Sequence, residues 1–229
     1  MRTFLAVLVV MFMATGAWAG LGLPNELADP GFEQGDVWQV SGGGGLLTDQ
    51  ISHAFLQSYG VPALPGGGTY CGGVATLNAS YPGGQLRQVV DESLFPGWDP
   101  DLNAKIVEVD FWYFQLGQAD VPMNIDIYLD WMEDGSDPTD PGAPGYVKQW
   151  IGNVTNVNSA GWQYAEITVE LPVQPQYLSV EFDFTYFSGM GLNVIDNADL
   201  QGLCIPEPGG LFALGTGLIG LVGVLRRRR

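Results

Sequence analysis

The residues best equipped for chemistry are three aromatic rings with acids beside them: Trp112, Tyr128 and Tyr164, with Asp110 and Asp126. Sugar CH groups stack on such rings while sugar hydroxyls donate to the carboxylates. Glu108, Asp130, Glu166, Glu170, Glu181 and Asp183 extend the acidic set. Two readings stay open from sequence: a polysaccharide-binding face, or the ordinary wet face of an acidic sheet. Catalysis has little to stand on. The single histidine, His53, lies in Ser52-His53-Ala54 and reads as a surface or turn residue. There is no Gly-x-Ser-x-Gly elbow, phosphate loop or zinc spacing. Acids are so numerous that no glycosidase-like carboxylate pair stands out. The chain reads as non-enzymatic, with a secreted glycoside-active enzyme the more distant alternative. Asp130, Glu133, Asp134, Asp137 and Asp140 lack the order of an EF-hand. They read as a solvated loop, or else as a weak cation site.

Period-2 alternation marks the elements that must position these residues. In 105–115, Val107, Val109, Phe111 and Tyr113 fall on one side and Glu108, Asp110, Trp112 and Phe114 on the other. In 124–132, Ile125, Ile127, Leu129 and Trp131 oppose Asp126, Tyr128 and Asp130. In 163–171, Ala165, Ile167, Val169 and Leu171 oppose Tyr164, Glu166 and Glu170. In 178–187, Val180, Phe182, Phe184 and Tyr186 oppose Glu181, Asp183 and Thr185. Such alternation predicts antiparallel strands with one buried face, and the polar partners are expected to gather on one surface. Pro65 to Gly68, Pro96-Gly97 and 134–145, with three prolines, are turn-rich separators. With no helical stripe of useful length between the termini, the expectation is an all-β chain: a two-sheet antiparallel sandwich of jelly-roll type.

The two ends carry addresses. Arg2 precedes an apolar stretch over 4–13, and Ala17-Trp18-Ala19 offers the small-x-small pattern of signal peptidase. Residues 1–19 therefore read as a secretory signal. At the other end, Pro206-Glu207-Pro208 precedes seventeen uncharged residues, 209–225, and then Arg226, Arg227, Arg228 and Arg229. Seventeen helical residues reach about 25 Å, the lower limit for a membrane span, and the arginines hold the end in the cytoplasm. One domain, 20–203, lies between the signal and the tail, 204–229.

Of eight basic residues, only Arg87, Lys105 and Lys148 lie outside those segments. All 25 acids fall within 20–208, leaving a net charge of −22 there. Nucleic acid and anionic membrane surfaces are excluded as partners. Cations fit, as does the plain reading of acidity as a solubility device. Cys71 and Cys204 are the only cysteines; one disulfide and two unpaired thiols are equally compatible with an exported chain.

The tail resembles the PEP-CTERM sorting signal of Gram-negative bacteria, with motif, span and arginine block in order. The resemblance implies processing by an exosortase, a membrane transpeptidase. It implies an inner-membrane-anchored precursor and a later place in the periplasm, at the surface or in an extracellular, biofilm-type matrix. A second resemblance runs loosely over 24–203. Asp29, Pro30, Gly31, Phe32 and Glu33, with Trp38 and Gly42, look like the opening of galactose-binding-like sandwiches, including carbohydrate-binding modules. Asn193, Val194, Ile195, Asp196 and Asn197 look like the closing strand. This resemblance implies that the opening and closing segments meet. It further implies that Glu33 and Asp196 ligate a structural Ca²⁺, with backbone carbonyls completing the shell. The stretches 56–84 and 133–146 are long-loop departures from that family.

Overall fold

The computed structural model describes residues 27–76, 81–91, 106–117, 122–134, 136, 138–156, 158–172, 175, 177–185, 189 and 191–203. The signal residues Ala17 and Ala19, the tail from Cys204 through Pro206, Glu207, Pro208 and Arg226–Arg229, and Asp137 lie outside them. So does the Pro96-Gly97 turn. No helix among the described residues is long and apolar enough to cross a membrane.

Among the described residues, ten strands form two five-stranded antiparallel sheets. Sheet I has the order β1-β4-β9-β6-β7, built from β1 (Gln39–Gly42), β4 (Gly84–Asp91), β9 (Tyr177–Phe184), β6 (Met123–Met132) and β7 (Tyr146–Asn156). Sheet II has the order β2-β3-β10-β5-β8, built from β2 (Leu47–Ser52), β3 (Tyr70–Thr76), β10 (Gly191–Leu203), β5 (Ile106–Gly117) and β8 (Gln163–Glu170). The four strands read from alternation are all present, within three residues at each end.

The inward-facing residues of both sheets make one core. Val107, Val109 and Phe111 of sheet II meet Ile125, Ile127, Leu129, Val180, Phe182 and Phe184 of sheet I, all fully buried. Phe32 and Trp38 of the opening segment stack on each other at 4.7 Å between centroids, and Trp38 contacts Phe182 at 6.0 Å. Buried indole needs a partner for its N–H, and Trp38 Nε1 donates to the Asp29 carbonyl at 2.8 Å. At one end of the sandwich, Gln115 Nε2 of sheet II donates to Asn193 Oδ1 at 3.0 Å and to the Met123 carbonyl of sheet I at 3.3 Å.

One expectation is corrected. The stretch 56–84 is not one long loop: it contains β3 and the end of α1 (His53–Ser58). This single-turn-and-a-half helix is capped by the Ser52 hydroxyl, which accepts from Phe55 N at 3.2 Å. Six residues are too few to show helical periodicity. With the chain that follows it, α1 covers part of the outer face of sheet II. Ile51, Leu56, Val61, Cys71, Phe114, Leu192 and Val194 form a second small core there.

Candidate functional site

Because both sheets turn their apolar faces inward, their polar faces look in opposite directions. The surface read from sequence as one is therefore two. Asp126, Tyr128, Asp130, Glu181 and Asp183 lie on sheet I, whereas Glu108, Asp110, Trp112, Tyr164, Glu166 and Glu170 lie on sheet II. Alternation reports which side chains share one face of a strand. It says nothing of which sheet the strand joins.

On sheet I, register lines up one residue from every strand. Gln39 pairs with Arg87, Arg87 with Glu181, Glu181 with Tyr128, and Tyr128 with Trp150. The row runs from an amide through a cation and a carboxylate to two aromatic rings. Trp150, on edge strand β7, is 55% exposed, the most exposed of the large hydrophobics. Its Nε1 donates to Asp126 Oδ1 at 3.2 Å, which fixes the ring beside a carboxylate. The Lys148 ammonium lies 4.1 Å from the Tyr128 centroid and donates to Glu181 Oε1. Burial pushes the Glu181 carboxyl above its ordinary value, with Lys148 pulling the other way. Farther out, Asn153 Nδ2 donates to Asn124 Oδ1 at 3.0 Å.

Asp130 does not belong to a solvated loop. It is 0% exposed and Arg87 only 3%, paired at 3.1 Å from Nε to Oδ2. The same N–H reaches Ser179 Oγ at 3.1 Å, and Ser179 donates in turn to Asp130 Oδ2 at 3.2 Å. Arg87 Nη2 donates to the Pro138 carbonyl, so the loop between β6 and β7 folds back over the sheet. Its Glu133, Asp134 and Asp140 are exposed, as expected. Neither Arg87, Lys148 nor Trp150 stood out in the sequence reading. Alternation in β7 is broken by a bulge opposite Ile127/Tyr128, where a Cβ on Gly152 would collide with Ile167 of the other sheet.

On sheet II, Trp112 of β5 stands directly opposite Tyr164 of edge strand β8, with ring centroids 5.4 Å apart. Asp110 lies between Glu166 on one neighbour and Asp199 on the other. Burial and the Asp199 charge raise its carboxyl to about 6. Burial and Asp110 push the Tyr164 hydroxyl up to about 12. Among the described residues no lysine or arginine lies on this face; its one basic group, His53, is buried against Asp196.

The opening and closing segments do meet, as the resemblance implies, but through turns rather than paired strands. Ala198 N donates to the Pro30 carbonyl at 2.9 Å, at the bulge where Asn197 adopts φ 47°. Glu33 Oε1 accepts from the Thr69 and Tyr70 amides, the latter at 3.0 Å, and a Cβ on Gly68 would overlap that carboxylate. Asp196 is fully buried. Its Oδ1 accepts from Asn197 N at 2.8 Å, and its Oδ2 lies 2.8 Å from His53 Nε2. His53 is thus no surface residue: it is 8% exposed, and the Asp196 hydrogen bond raises its imidazole above the ordinary value.

Ca²⁺ takes six to eight oxygens. Here three carboxylate oxygens are engaged with backbone amides and an imidazole. Among the described residues no group of three or more His, Cys, Asp and Glu is placed to hold a metal. Two carboxylates completed by backbone carbonyls are a separate case, which chelation decides: if protein donors alone satisfy Glu33 and Asp196, EDTA should leave the melting temperature unchanged. His53→Ala, which strips a hydrogen bond from a buried carboxylate, should cost about 2 kcal/mol. A melting temperature that falls on chelation and returns with Ca²⁺ would restore Glu33 and Asp196 as ligands. Nearby Cys71 is a buried thiol, 3.5 Å from the Ile51 carbonyl, with its pKa pushed up by burial. Cys204, with which the sequence left a disulfide open, lies outside the described residues.

No protein-family profile matches the sequence, and no curated protein matches it. Solved structures align over most of the chain. The TmCBM61 complex with β-1,4-galactotriose is 19% identical, with 80% of this chain and 99% of that one covered and a TM-score of 0.49. The CBM22-1 xylan-binding domain of Paenibacillus barcinonensis Xyn10C is 10% identical, with coverages of 76% and 92% and a TM-score of 0.45. The enzymatically active domain of bacteriophage CBA120 tailspike protein 4 is 14% identical, with coverages of 77% and 21% and a TM-score of 0.46. Each is a similarity of chain path, and no side-chain role is taken from them.

Proposed function

We propose that this protein is a non-enzymatic, exported glycan-binding module whose outer face of sheet I is the binding platform. The observation that carries the reading is the register-aligned row ending in Tyr128 and the exposed Trp150, with Asp126 held beside the indole. A pyranose ring lying on Trp150 has carboxylates and amides within reach of its hydroxyls, and the fixed indole loses little freedom on binding. Both described cations of the face, Arg87 and Lys148, are already paired with carboxylates, and among the described residues Asp126 and Asp183 form no salt bridge of their own. The balance favours uncharged sugars over uronates.

Binding to a panel of neutral and acidic polysaccharides, read by affinity electrophoresis and calorimetry, tests this. A neutral glycan should bind, and Trp150→Ala should weaken it at least about tenfold, which is about 1.4 kcal/mol. Binding indifferent to Trp150, or silence across the panel, would remove sheet I as the platform.

The tail supports delivery outside the cell. Pro206-Glu207-Pro208, the 209–225 span and Arg226–Arg229 fit an exosortase substrate held first in the inner membrane, and Ala17 and Ala19 fit signal peptidase. The mature mass from native cells should lack both the first 19 residues and the arginine block. A full-length chain retained in the inner membrane would sink the sorting reading while leaving the platform untouched.

A further inference from the structure

We propose that the module carries a second glycan platform, on the outer face of sheet II, and so bridges two polysaccharide chains. This rests on the reading of sheet I as a glycan platform, because sheet II repeats its plan. In each sheet an edge strand supplies an exposed aromatic: Trp150 of β7 at 55%, Tyr164 of β8 at 50%. In each, the neighbouring strand places a second ring directly opposite: Tyr128 to Trp150, Trp112 to Tyr164. In each, a carboxylate stands two residues before that second ring, Asp126 in β6 and Asp110 in β5, on the same face of its strand.

The packing of sheet II leaves this patch open. Phe114 and Val194 are covered by α1 and the chain after it. Trp112, Tyr164, Asp110 and Glu166 are not part of that small core, and Tyr164 and Glu166 are exposed while Trp112 and Asp110 are half-buried. The uncovered part offers acceptors and no cation among the described residues, so it fits the hydroxyls of an uncharged glycan and repels uronates. β7 and β8 lie along the same border of the sandwich, where Gly152 meets Ile167. Packed sheets stand about 10 Å apart and the platforms look in opposite directions. A glycan lying flat on one therefore leaves the other free for a second chain. Two weak sites facing apart turn a binder into a cross-linker, whose strength on a polymer exceeds that of either site.

The test uses the purified full chain with a xylan, a galactan and a β-glucan as probes. Calorimetry with short oligosaccharides of each reads sites per chain, and light scattering with the polymers reads bridging. The expected result is two sites for the unaltered protein, one for Trp150→Ala and one for Tyr164→Ala. Scattering in both variants should fall to that of polymer alone. Tyr164 is exposed, so its variant keeps the fold, and an unchanged melting curve verifies this. One site lost with Trp150 but untouched by Tyr164→Ala overturns the second platform and leaves the first standing. One site weakened by both substitutions means a single glycan wrapping the β7–β8 border, which overturns bridging. No binding by the unaltered protein overturns both platforms together.

Discussion

Arg87→Met is expected to be among the most damaging single substitutions outside the apolar core, costing about 3–5 kcal/mol. The figure follows from what stays behind. Asp130 is 0% exposed, and its Oδ2 keeps only the Ser179 hydroxyl once Nε is gone. A buried carboxylate without its cation must pay desolvation in full or take up a proton. The substitution also strips the Pro138 carbonyl of its donor, releasing the loop that closes over sheet I. For a domain of this size each kcal/mol is worth about 2–4 °C, so the melting temperature should drop by roughly 10 °C. Arg87→Met with Asp130→Leu removes both charges and should recover most of the loss, as buried pairs replaced by apolar groups often do. If the double variant is no more stable than Arg87→Met, the pairing with Asp130 is not what makes Arg87 costly to lose.

Arg87 also shows where sequence stops being informative. Within Gln85-Leu86-Arg87-Gln88 it alternates with Leu86 like any solvent-facing residue of a strand, and its parity is correct: it does point outward. Its guanidinium is met by the Pro138 carbonyl, 51 positions away, and no local pattern reports a loop folding back over a sheet. His53 is a parallel case. Its partner Asp196 is 143 residues distant, and its helix is too short to announce itself. The legible parts were those that depend on neighbours in sequence. Strands β5, β6, β8 and β9 alternate cleanly in sequence because one face of each packs into the apolar core and the other carries polar side chains, even where that second face is covered. β7 was missed because its bulge shifts the alternation at mid-strand, which hid Trp150 among ordinary polar residues. The meeting of Glu33 and Asp196 was reached only by resemblance. The partition of Trp112 and Tyr128 between two sheets needed strand order, which alternation does not contain.

Phe182→Ala is expected to cost as much as the loss of Arg87, about 3–5 kcal/mol, through a different mechanism. Phe182 is fully buried on β9 of sheet I, edge-on to Phe111 of sheet II at 5.0 Å and 74°. It also touches Trp38, which is itself stacked on Phe32, so one ring joins both sheets to the opening segment. Removing it deletes its contacts with both Phe111 and Trp38. The surrounding β-sheet backbone, with Phe182 paired between Leu86 on one strand and Ile127 on the other, is poorly able to collapse into the space. The residual cavity then adds to the lost transfer energy. Phe182→Leu keeps much of the volume and should cost less than half as much, separating packing from any special role of the ring. Urea denaturation reads the difference: the midpoint should fall steeply for alanine and modestly for leucine, with the slope unchanged. Against a typical total stability of about 5–15 kcal/mol, the alanine variant sits near the limit of folding at physiological temperature. A loss below about 1 kcal/mol would mean that the contacts between the two sheets at Phe182 are looser than the 5.0 Å approach to Phe111 implies.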